Sequence, residues 1–420
     1  MFEELLKGIL NCGCGMDHIC AIESILEGPG VIDQTGGLLA AFSSPIVVCD
    51  ANTRPFAEIV LGNLPPETAL FDYGADELLP DEEGITRLEA ALGANDIIVG
   101  VGAGVINDLC KFVSHKLGLP YAIVATAPSM DGYASTAAAM ITDGLKVTYF
   151  THVPRFIVAD TDILKNAPID MVKAGFGDIL GKYSALSDWK LSEMVTDEKL
   201  CPLVYSLMER SLGQVVSLAE KLLDRDEECI RTLIQALIIS GIAMAFADNS
   251  RPASGAEHHI AHFFEVVGLL NGTGSMFHGT DVAYATYITA LLREKAAKGN
   301  PKPSKAAFDY SSWEKEIKRV YGRTAAGIID LQAKAGWHER DLTGRINERW
   351  DEIRALLADH PSSAEIERLL NLAGLNTDGF IVFYGSAPIN DAILYSKDLK
   401  DRYTFMRLMD DLNIPERITF

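Results

Sequence analysis

The chain has 420 residues, of which 48% are hydrophobic, and its formal net charge is −21. This length predicts one large or two ordinary domains, and the apolar content suffices for a complete core and is too high for a disordered chain. The negative charge disfavours non-specific nucleic-acid binding, because displacing counterions requires a positive surface, and it leaves a small anionic ligand open.

The N-terminal segment MFEELLKGIL is acidic and has neither the basic start nor the apolar run of a secretory signal. We find no stretch of about 18 uncharged apolar residues and therefore expect no membrane span. Seven scattered cysteines, an odd number, suit reduced thiols. These features predict a cytoplasmic protein that binds neither membranes nor nucleic acid.

The stretch NCGCGMDHIC places Cys12, Cys14, His18 and Cys20 close together. One interpretation is a zinc site. The CxC spacing is tighter than is usual in structural zinc sites, and no second paired cluster follows. A small turn or hairpin before the first domain is therefore the favoured alternative.

Strand-like and helix-like runs alternate over the first 165 residues. Five apolar runs predict strands, namely PIVVCD (45–50), ETALFDYG (67–74), DIIVGVG (96–102), LPYAIVATAPS (119–129) and RFIVADTD (155–162). Two amphipathic runs predict helices, namely DEEGITRLEAALGAN (81–95) and VINDLCKFVSHKLG (105–118). This alternation is typical of a parallel sheet in an α/β domain.

Beyond residue 165 the apolar residues recur at three- and four-residue steps, which predicts long helices. These runs begin near residues 203, 229, 259 and 281. The break at DTDILKNAP, with Pro168, predicts an α/β domain over 1–165 and a helical domain over 166–420. The polar stretch 300–312 predicts an exposed connector within the helical domain.

The glycine turn that follows DIIVGVG suggests a nucleotide site. Gly102 and Gly104 lie where a strand becomes a helix, and Val105 replaces the third glycine of the dinucleotide fingerprint. Glycine permits positive φ and close approach of a ligand, and the helix N-terminus attracts phosphate. Asp50, at the end of an earlier strand, could accept ribose hydroxyls. The alternative is a packed turn without a ligand.

Polar residues follow the next strand in TAPSMDGYAST. Thr126, Ser129, Asp131 and Ser135 would lie at the same sheet edge as the glycine turn. Ordinary turn chemistry is the alternative, since Pro, Ser, Asp and Gly all favour turns. On the preceding helix, Asp108 could pair with a lysine three residues later or face the turn, and the sequence leaves both open.

Histidines cluster in the helical region. His258, His259 and His262 lie in GAEHHIAHFFE, and His278 follows in MFHGTDVAY. An Asp178 carboxylate from AGFGDILGK with two imidazoles would suit a catalytic divalent metal. The spacing does not choose among His258, His259 and His262, and structural histidines remain the alternative.

In chain order, the motifs GVGAGVINDLCK, TAPSMDGYAS, DTDILKNAP, AGFGDILGK, SGAEHHIAH and HGTDVAY resemble those of sn-glycerol-1-phosphate dehydrogenases. The bacterial AraM-type members, within the iron-containing alcohol dehydrogenase and dehydroquinate synthase-like superfamily, are the most similar. The resemblance extends over residues 10 to 290. It implies a Rossmann-like α/β N-terminal domain with a parallel sheet and an all-α C-terminal domain.

The resemblance also implies residue roles. It assigns the metal to Asp178, His258 and His278, and substrate contacts to Asp131 and His262, with Asp178 and His262 taking part in catalysis. His259 matches no role. It assigns cofactor contacts to Asp50, Gly102, Gly104, Asp108, Thr126, Ser129 and Ser135. The chain departs from the superfamily's GGGSxxD turn by reading GVGAGVIND.

The implied activity is reduction of dihydroxyacetone phosphate to sn-glycerol 1-phosphate by NAD(P)H. The resemblance implies one divalent metal, with zinc expected first and nickel or iron as alternatives, and a homo-oligomer. NAD is expected, with NADP tolerated if Arg54 offsets a 2′-phosphate at Asp50. Lys182 and Arg251 are candidate donors to the substrate phosphate, because they flank the metal motifs.

Three alternatives remain open. A glycerol or other polyol dehydrogenase would share the metal and cofactor but need no phosphate donors. A dehydroquinate synthase-like lyase fits TAPSMDGYAS less well. A non-catalytic nucleotide-binding regulatory protein would lack a complete Asp-His-His set.

Overall fold

The computed structural model describes residues 2–299, 303 and 307–414. By their contacts these residues divide into two compact units. Unit 1 comprises Met1–Ile179 and Gly213–Asn249, and unit 2 comprises Leu180–Leu212 and Ser250–Phe420. The predicted connector 300–312 lies partly outside the described residues.

The described residues form eight strands, and all of them belong to unit 1. They are β1 Ser24–Gly28, β2 Pro45–Cys49, β3 Ala69–Asp72, β4 Ile97–Gly102, β5 Tyr121–Ala125, β6 Ala137–Thr142, β7 Leu145–Phe150 and β8 Phe156–Asp160. Six form one parallel sheet in the order β1-β8-β5-β4-β2-β3. The central strands β2, β4 and β5 are buried along their whole length, as expected for a sheet covered on both faces. The predicted parallel sheet is confirmed.

The sequence interpretation missed three strands. Strand β1 is an edge strand whose first four residues are only half-buried, so its apolar signal is weak. Strands β6 and β7 form an antiparallel hairpin. Its turn residues Asp143 and Gly144 have φ of 52° and 68°, and this Asp-Gly pair is a recognisable hairpin signal.

The helices are α1 Phe2–Leu6, α2 Thr35–Leu38, α3 Arg54–Gly62, α4 Glu82–Ala91, α5 Gly104–Leu117, α6 Thr161–Leu164, α7 Ile169–Leu180, α8 Lys182–Thr196, α9 Pro202–Ser217, α10 Glu227–Ala247, α11 Ala256–Asn271, α12 His278–Lys298, α13 Tyr310–Tyr321, α14 Ala325–Ala335, α15 Thr343–Glu348, α16 Trp350–Asp359, α17 Ser363–Leu372, α18 Thr377–Tyr384, α19 Ser386–Tyr395 and α20 Phe405–Asp411. Short 3-10 helices cover Val31–Gln34, Asp131–Ala134, Ala219–Lys221, Gly322–Thr324 and Ser396–Leu399. Within its described residues, unit 2 contains helices and no strands. The predicted α/β region followed by a helical region is confirmed.

The division into units differs from the predicted boundary at residue 165, because most of α7 and all of α10 belong to unit 1. Both helices pack against the segment after β5. A Cβ added at Gly175 on α7 would come 1.8 Å from the Pro128 carbonyl oxygen, and one at Gly241 on α10 would come 2.6 Å from Ala134. The change to helical periodicity therefore marks a change of secondary structure, whereas the contacts place these helices with the sheet.

Helix α10 is long and apolar enough to cross a membrane by length and composition. Its most apolar 18-residue window has a mean hydropathy of 1.8, and 72% of that window is buried inside the protein. Packing in the core of unit 1 accounts for this composition.

Candidate active site

The glycine turn joins β4 to α5 in unit 1. A Cβ added at Gly102 would lie 2.6 Å from the Ile106 side chain, so close packing requires a glycine there. Neither Gly102 nor Gly104 has a positive φ, so the expected left-handed conformation is not the reason for these glycines. Ala103 precedes α5 without a side-chain cap, and the first amides of the helix therefore remain suited to an anion.

Asp50 lies directly after β2. Its Oδ1 accepts hydrogen bonds from the Thr53 amide at 2.9 Å and the Thr53 hydroxyl at 3.0 Å. The nearby Arg54 donates to Asp72 at 2.9 Å and to Glu58 at 3.2 Å. Because two carboxylates already engage Arg54, a 2′-phosphate would have to compete for it.

The segment after β5 lies beside the glycine turn, since β4 and β5 are neighbours in the sheet. The Thr126 amide donates to the Gly102 carbonyl at 3.2 Å. Thr126, Ser129 and Ser135 are all buried. Unit 1 therefore brings the two predicted cofactor turns together.

Lys111, whose placement the sequence left open, lies completely buried beneath this segment. Its Nζ donates to the carbonyls of Gly132 at 2.6 Å and Ala137 at 3.0 Å, and to the Ser135 hydroxyl at 3.3 Å. Ser135 therefore has a structural partner in addition to any cofactor role. Asp108 accepts from the Ala139 amide at 3.2 Å.

Burial has the largest effect on the pKa values of Asp108 and Lys111. It raises the pKa of Asp108, against the opposing charge of Lys111. It lowers the pKa of Lys111 to about 8, against the opposing charges of Asp108 and Asp131. The Lys111 ammonium therefore carries a desolvation cost that its three acceptors only partly offset.

We expect the desolvation cost of Lys111 to appear as a pH-dependent difference in the free energy of unfolding between the wild type and Lys111→Met. Between pH about 8 and about 10.4 the unfolded chain binds more protons at Lys111 than the folded protein, so this lysine's contribution to stability rises with pH. The free energy of unfolding of the wild type should therefore rise relative to Lys111→Met over this interval. Urea unfolding at a series of pH values measures the difference.

Lys116→Met is the matched control, because Lys116 lies exposed on the same helix and pairs with Glu89. Its difference from the wild type should change little with pH. Parallel curves for wild type and Lys111→Met would contradict the assigned burial cost.

Asp131 and Asp178 meet within unit 1. The Asp131 amide donates to Asp178 Oδ2 at 3.0 Å, and Asp131 Oδ2 accepts from the Ser240 hydroxyl at 2.8 Å. Asp178 is completely buried. Two predicted site carboxylates thus lie together, and Ser240 on α10 is a partner that sequence reasoning missed, since a serine in an apolar helix carries no motif.

In unit 2, three histidines form a compact group. His258 and His262 lie on one face of α11, and His278 is the first residue of α12. The ring centroids of His258 and His278 are 5.2 Å apart, those of His262 and His278 are 5.3 Å apart, and those of His258 and His262 are 6.2 Å apart.

Carboxylates orient all three rings. His258 Nδ1 lies 2.7 Å from Glu257 Oε1, while His262 Nδ1 and His278 Nδ1 lie 2.7 Å and 3.0 Å from the two oxygens of Glu265. Each contact places the proton on Nδ1 and leaves the Nε2 lone pair for a metal or a substrate hydroxyl, as metal-binding histidines require. Sequence reasoning missed both glutamates, although EHH and HFFE place them beside the histidines.

The ionisation of His262 agrees with a neutral ring. Burial raises the pKa of Glu257, but hydrogen bonds from His258 and from the Gly255 amide hold that pKa below its ordinary value. Burial lowers the pKa of His262 to about 3, against the hydrogen bond and charge of Glu265. His262 is therefore neutral near pH 7.

His259 has a different environment. It is completely buried, and neither ring nitrogen has a hydrogen-bond partner among the described residues. Burial lowers its pKa well below the ordinary value. The ring thus behaves as a packed core side chain, apart from the group formed by His258, His262 and His278.

The two candidate phosphate donors are engaged inside unit 2. Lys182 is completely buried and donates to the Ala253 carbonyl at 3.0 Å. Arg251 donates to Glu198 Oε1 at 2.7 Å and to the Tyr403 carbonyl at 2.7 Å. A substrate phosphate would therefore have to displace hydrogen bonds that these two side chains make within the protein.

A buried ion pair holds α11 in place. Asp188 Oδ2 accepts from the Ala256 amide, the first of α11, at 2.7 Å, and Oδ1 lies 2.5 Å from Arg293 Nη2. Oδ1 also accepts from the Phe405 amide at 2.9 Å. Arg293 and Asp188 are 1% and 0% exposed in their side chains. Local sequence patterns do not predict this ion pair, because Asp188 and Arg293 lie 105 residues apart in the chain.

The residues present fit a divalent cation. Oriented imidazoles and a buried carboxylate are the donor types that zinc, iron and nickel accept. Within unit 2 alone, His262, Glu265 and His278 each offer a ligand atom within 4.8 Å of the others. Both Glu265 oxygens already accept from imidazoles, so this glutamate suits an orienting role better than a ligand role.

Comparison with known proteins identifies the class. A family profile described as iron-containing alcohol dehydrogenase matches residues 28–168. The fold is similar to that of an archaeal alcohol dehydrogenase from a halo-thermophilic Red Sea brine pool organism, with a TM-score of 0.61, 14% identity and 94% of each chain covered. The fold is thus that of the iron-containing alcohol dehydrogenases.

Two curated relatives extend over nearly the whole chain. A glycerol-1-phosphate dehydrogenase, NAD(P)+, of Halalkalibacterium halodurans is 32% identical over 98% of both chains. One of Bacillus licheniformis is 28% identical over 99% of this chain and 95% of its own. The chain belongs to the glycerol-1-phosphate dehydrogenase family, as the sequence motifs indicated. It is an oxidoreductase of a family that acts on CH–OH groups with NAD(P).

Proposed function

We propose that this protein reduces dihydroxyacetone phosphate to sn-glycerol 1-phosphate with NADH or NADPH. One observation supports the proposal beyond family membership. The rings of His258, His262 and His278 form one group, and a buried glutamate holds the Nδ1 proton of each ring. In each ring, Nε2 lies on the side away from the glutamate. Such a set is built to bind a cation and a polar substrate.

The proposed metal ligands are Asp178, His258 and His278. The histidines are oriented by Glu257 and Glu265, and the Asp131 amide fixes one oxygen of Asp178. Zinc is the expected ion, with iron or nickel as alternatives, because all three accept mixed imidazole and carboxylate donors.

The proposed cofactor contacts are those of the two turns in unit 1. The uncapped start of α5 after Gly102 and Gly104 would receive the pyrophosphate. Asp50 would accept ribose hydroxyls, and NAD is preferred since Arg54 is already paired. The remaining proposed contacts are Asp108, Thr126, Ser129 and Ser135.

When bound, the cation supplies polarisation of the ketone and the nicotinamide supplies the hydride. The protein orients both. Asp131, held by the Ser240 hydroxyl, would accept a hydrogen bond from a substrate hydroxyl and so fix which face of the ketone is presented.

His262 is proposed as an acceptor that positions the substrate. Its Nδ1 proton is held by Glu265, and burial keeps the ring neutral, so Nε2 has no proton to donate near pH 7. A substrate hydroxyl can donate to Nε2, whereas the proton that neutralises the product oxyanion comes from water.

A glycerol or polyol dehydrogenase is the second candidate, because Lys182 and Arg251, the expected phosphate donors, are both engaged. Assays with dihydroxyacetone phosphate and with dihydroxyacetone, each with NADH and with NADPH, separate the two activities. We expect turnover of the phosphate ester, dependence on added divalent metal, and sn-glycerol 1-phosphate as the only enantiomer. Equal turnover of dihydroxyacetone would favour the polyol dehydrogenase, and no turnover of either would favour a non-catalytic nucleotide-binding protein.

Neighbouring histidines provide a sharp prediction. His258→Ala should lower activity at limiting metal by more than about 100-fold, since loss of a residue that merely orients a ligand costs about 10–100-fold. His259→Ala should leave the activity of the folded protein nearly unchanged, because neither nitrogen of its ring forms a hydrogen bond to a described residue. Steady-state rates across a metal titration measure both, and equal losses would show that the choice of His258 is wrong.

Homo-oligomer formation and a cytoplasmic location remain predictions from the sequence and its resemblance. Size-exclusion chromatography with light scattering would test the first of them.

A further inference from the structure

A second group of metal-binding side chains lies near the start of unit 1 and has no part in the proposed function. Cys12, Cys14 and His18 each offer a ligand atom within 4.8 Å of the others. Cys14 Sγ lies 3.3 Å from His18 Nε2. Around a tetrahedral zinc ion, a sulfur and a nitrogen ligand are about 3.5 Å apart and two sulfurs about 3.8 Å. The Cys14–His18 separation is therefore close to that of two ligands that share one ion, and the Cys12 ligand atom lies within 4.8 Å of both.

The His18 ring is oriented for metal binding. It is completely buried, and its Nδ1 lies 2.7 Å from the Phe246 carbonyl oxygen near the end of α10. A carbonyl oxygen only accepts, so Nδ1 carries the proton and Nε2 presents its lone pair towards Cys14 Sγ. Holding the distal nitrogen by a backbone carbonyl is how metal-binding histidines fix their tautomer.

The backbone brings the three residues together. The Ile9 and His18 amides donate to each other's carbonyls at 2.8 Å, and the Gly15 amide donates to the Cys12 carbonyl at 2.8 Å. Gly15 has a φ of 83°, which favours glycine. The expected small hairpin is therefore present, and its tight turn presents Cys12 and Cys14 opposite His18.

Cys20, the fourth member of the sequence cluster, behaves differently. Its side chain is buried, and it is not a member of the group whose ligand atoms lie within 4.8 Å of one another. Cys20 is thus a matched reference for Cys12 and Cys14.

We propose that Cys12, Cys14 and His18 bind a structural zinc ion that closes the N-terminal hairpin. Two thiolates and an imidazole are zinc donors, and two negative ligands neutralise the ion's charge. The fourth position is taken by a water or by another thiolate. The site is chemically distinct from the proposed catalytic set, which contains no sulfur.

Cobalt substitution tests the proposal in the full-length protein. The purified chain is stripped with a chelator under reducing conditions and loaded with Co²⁺. We expect strong near-ultraviolet thiolate-to-cobalt absorption, which carboxylate and imidazole ligands cannot produce. Cys12→Ser and Cys14→Ser should each weaken this absorption, the double variant should lose it, and Cys20→Ala should keep it. Replacing each remaining cysteine in turn shows whether a thiolate occupies the fourth position.

Absence of the absorption from the wild type would overturn the proposal without any variant, and so would its persistence in the double variant. Zinc content of the protein as purified gives a second measure: the wild type should hold one zinc more per chain than the double variant. Catalytic turnover is not the readout, so failure of this site and failure of the proposed activity remain distinguishable.

Discussion

Asp178→Asn is expected to abolish turnover and to remove one metal ion per chain. The amide keeps an oxygen that can accept from the Asp131 N–H, so the local hydrogen bond survives, whereas the negative charge that binds the cation is lost. Electrostatic stabilisation by a catalytic metal contributes several kcal/mol, so the rate should fall by at least about 10³-fold. Metal analysis and initial rates on the same preparation measure both losses.

Asp170→Asn is the matched control, because Asp170 lies exposed on the same helix and pairs with Lys173. It should keep both metal and activity. If Asp178→Asn retained full turnover after chelation, Asp178 would not be a ligand and the metal-dependent account of this protein would fail.

Asp188→Asn is expected to give a large loss of stability. The substitution leaves the Arg293 guanidinium buried without its counterion, and breaking a buried pair in this way costs about 3–5 kcal/mol. It also weakens the acceptor for the Ala256 amide at the start of α11. The midpoint of urea unfolding, followed with Tm by calorimetry, measures the effect.

Asp197→Asn removes the charge of an aspartate that pairs with Arg345 at the surface, close to the end of α8. It should change the midpoint little, since exposed pairs contribute little. Equal shifts for the two variants would contradict the assigned role of the buried pair. Because Asp188 anchors the helix that bears His258, its loss should also lower metal affinity in protein that remains folded.

Local patterns predicted the elements whose apolar residues follow a clear pattern. Strands β2, β4 and β5 and helices α5 and α10 follow from such runs, because the spacing of apolar residues is a property of the segment itself. Strand β1 was not predicted, because its first four residues are only half-buried at the edge of the sheet and its apolar pattern is therefore weak. The hairpin with Asp143 and Gly144 in its turn was not predicted, although this residue pair is a known hairpin signal.

The sequence predicted the candidate site residues that belong to a motif. It did not predict the residues that form hydrogen bonds with them. Lys111, Ser240 and Glu265 support the proposed site, yet each is an ordinary residue in a helix, and its partner is set by packing. Conversely, Arg251 was expected at a phosphate, and the structure pairs it with Glu198.

By itself the sequence determined the class of fold, the family and the donor types available, because hydrophobic period, turn residues and motif order are local properties of the chain. The spacing alone did not choose between His258 and His259, and the motif resemblance pointed to His258. The tertiary structure places the His258 ring beside that of His278 and shows which carboxylates hold the Nδ1 protons. Adjacent helical residues point about 100° apart, and the packing of α11 against α12 selects the side that meets the second helix.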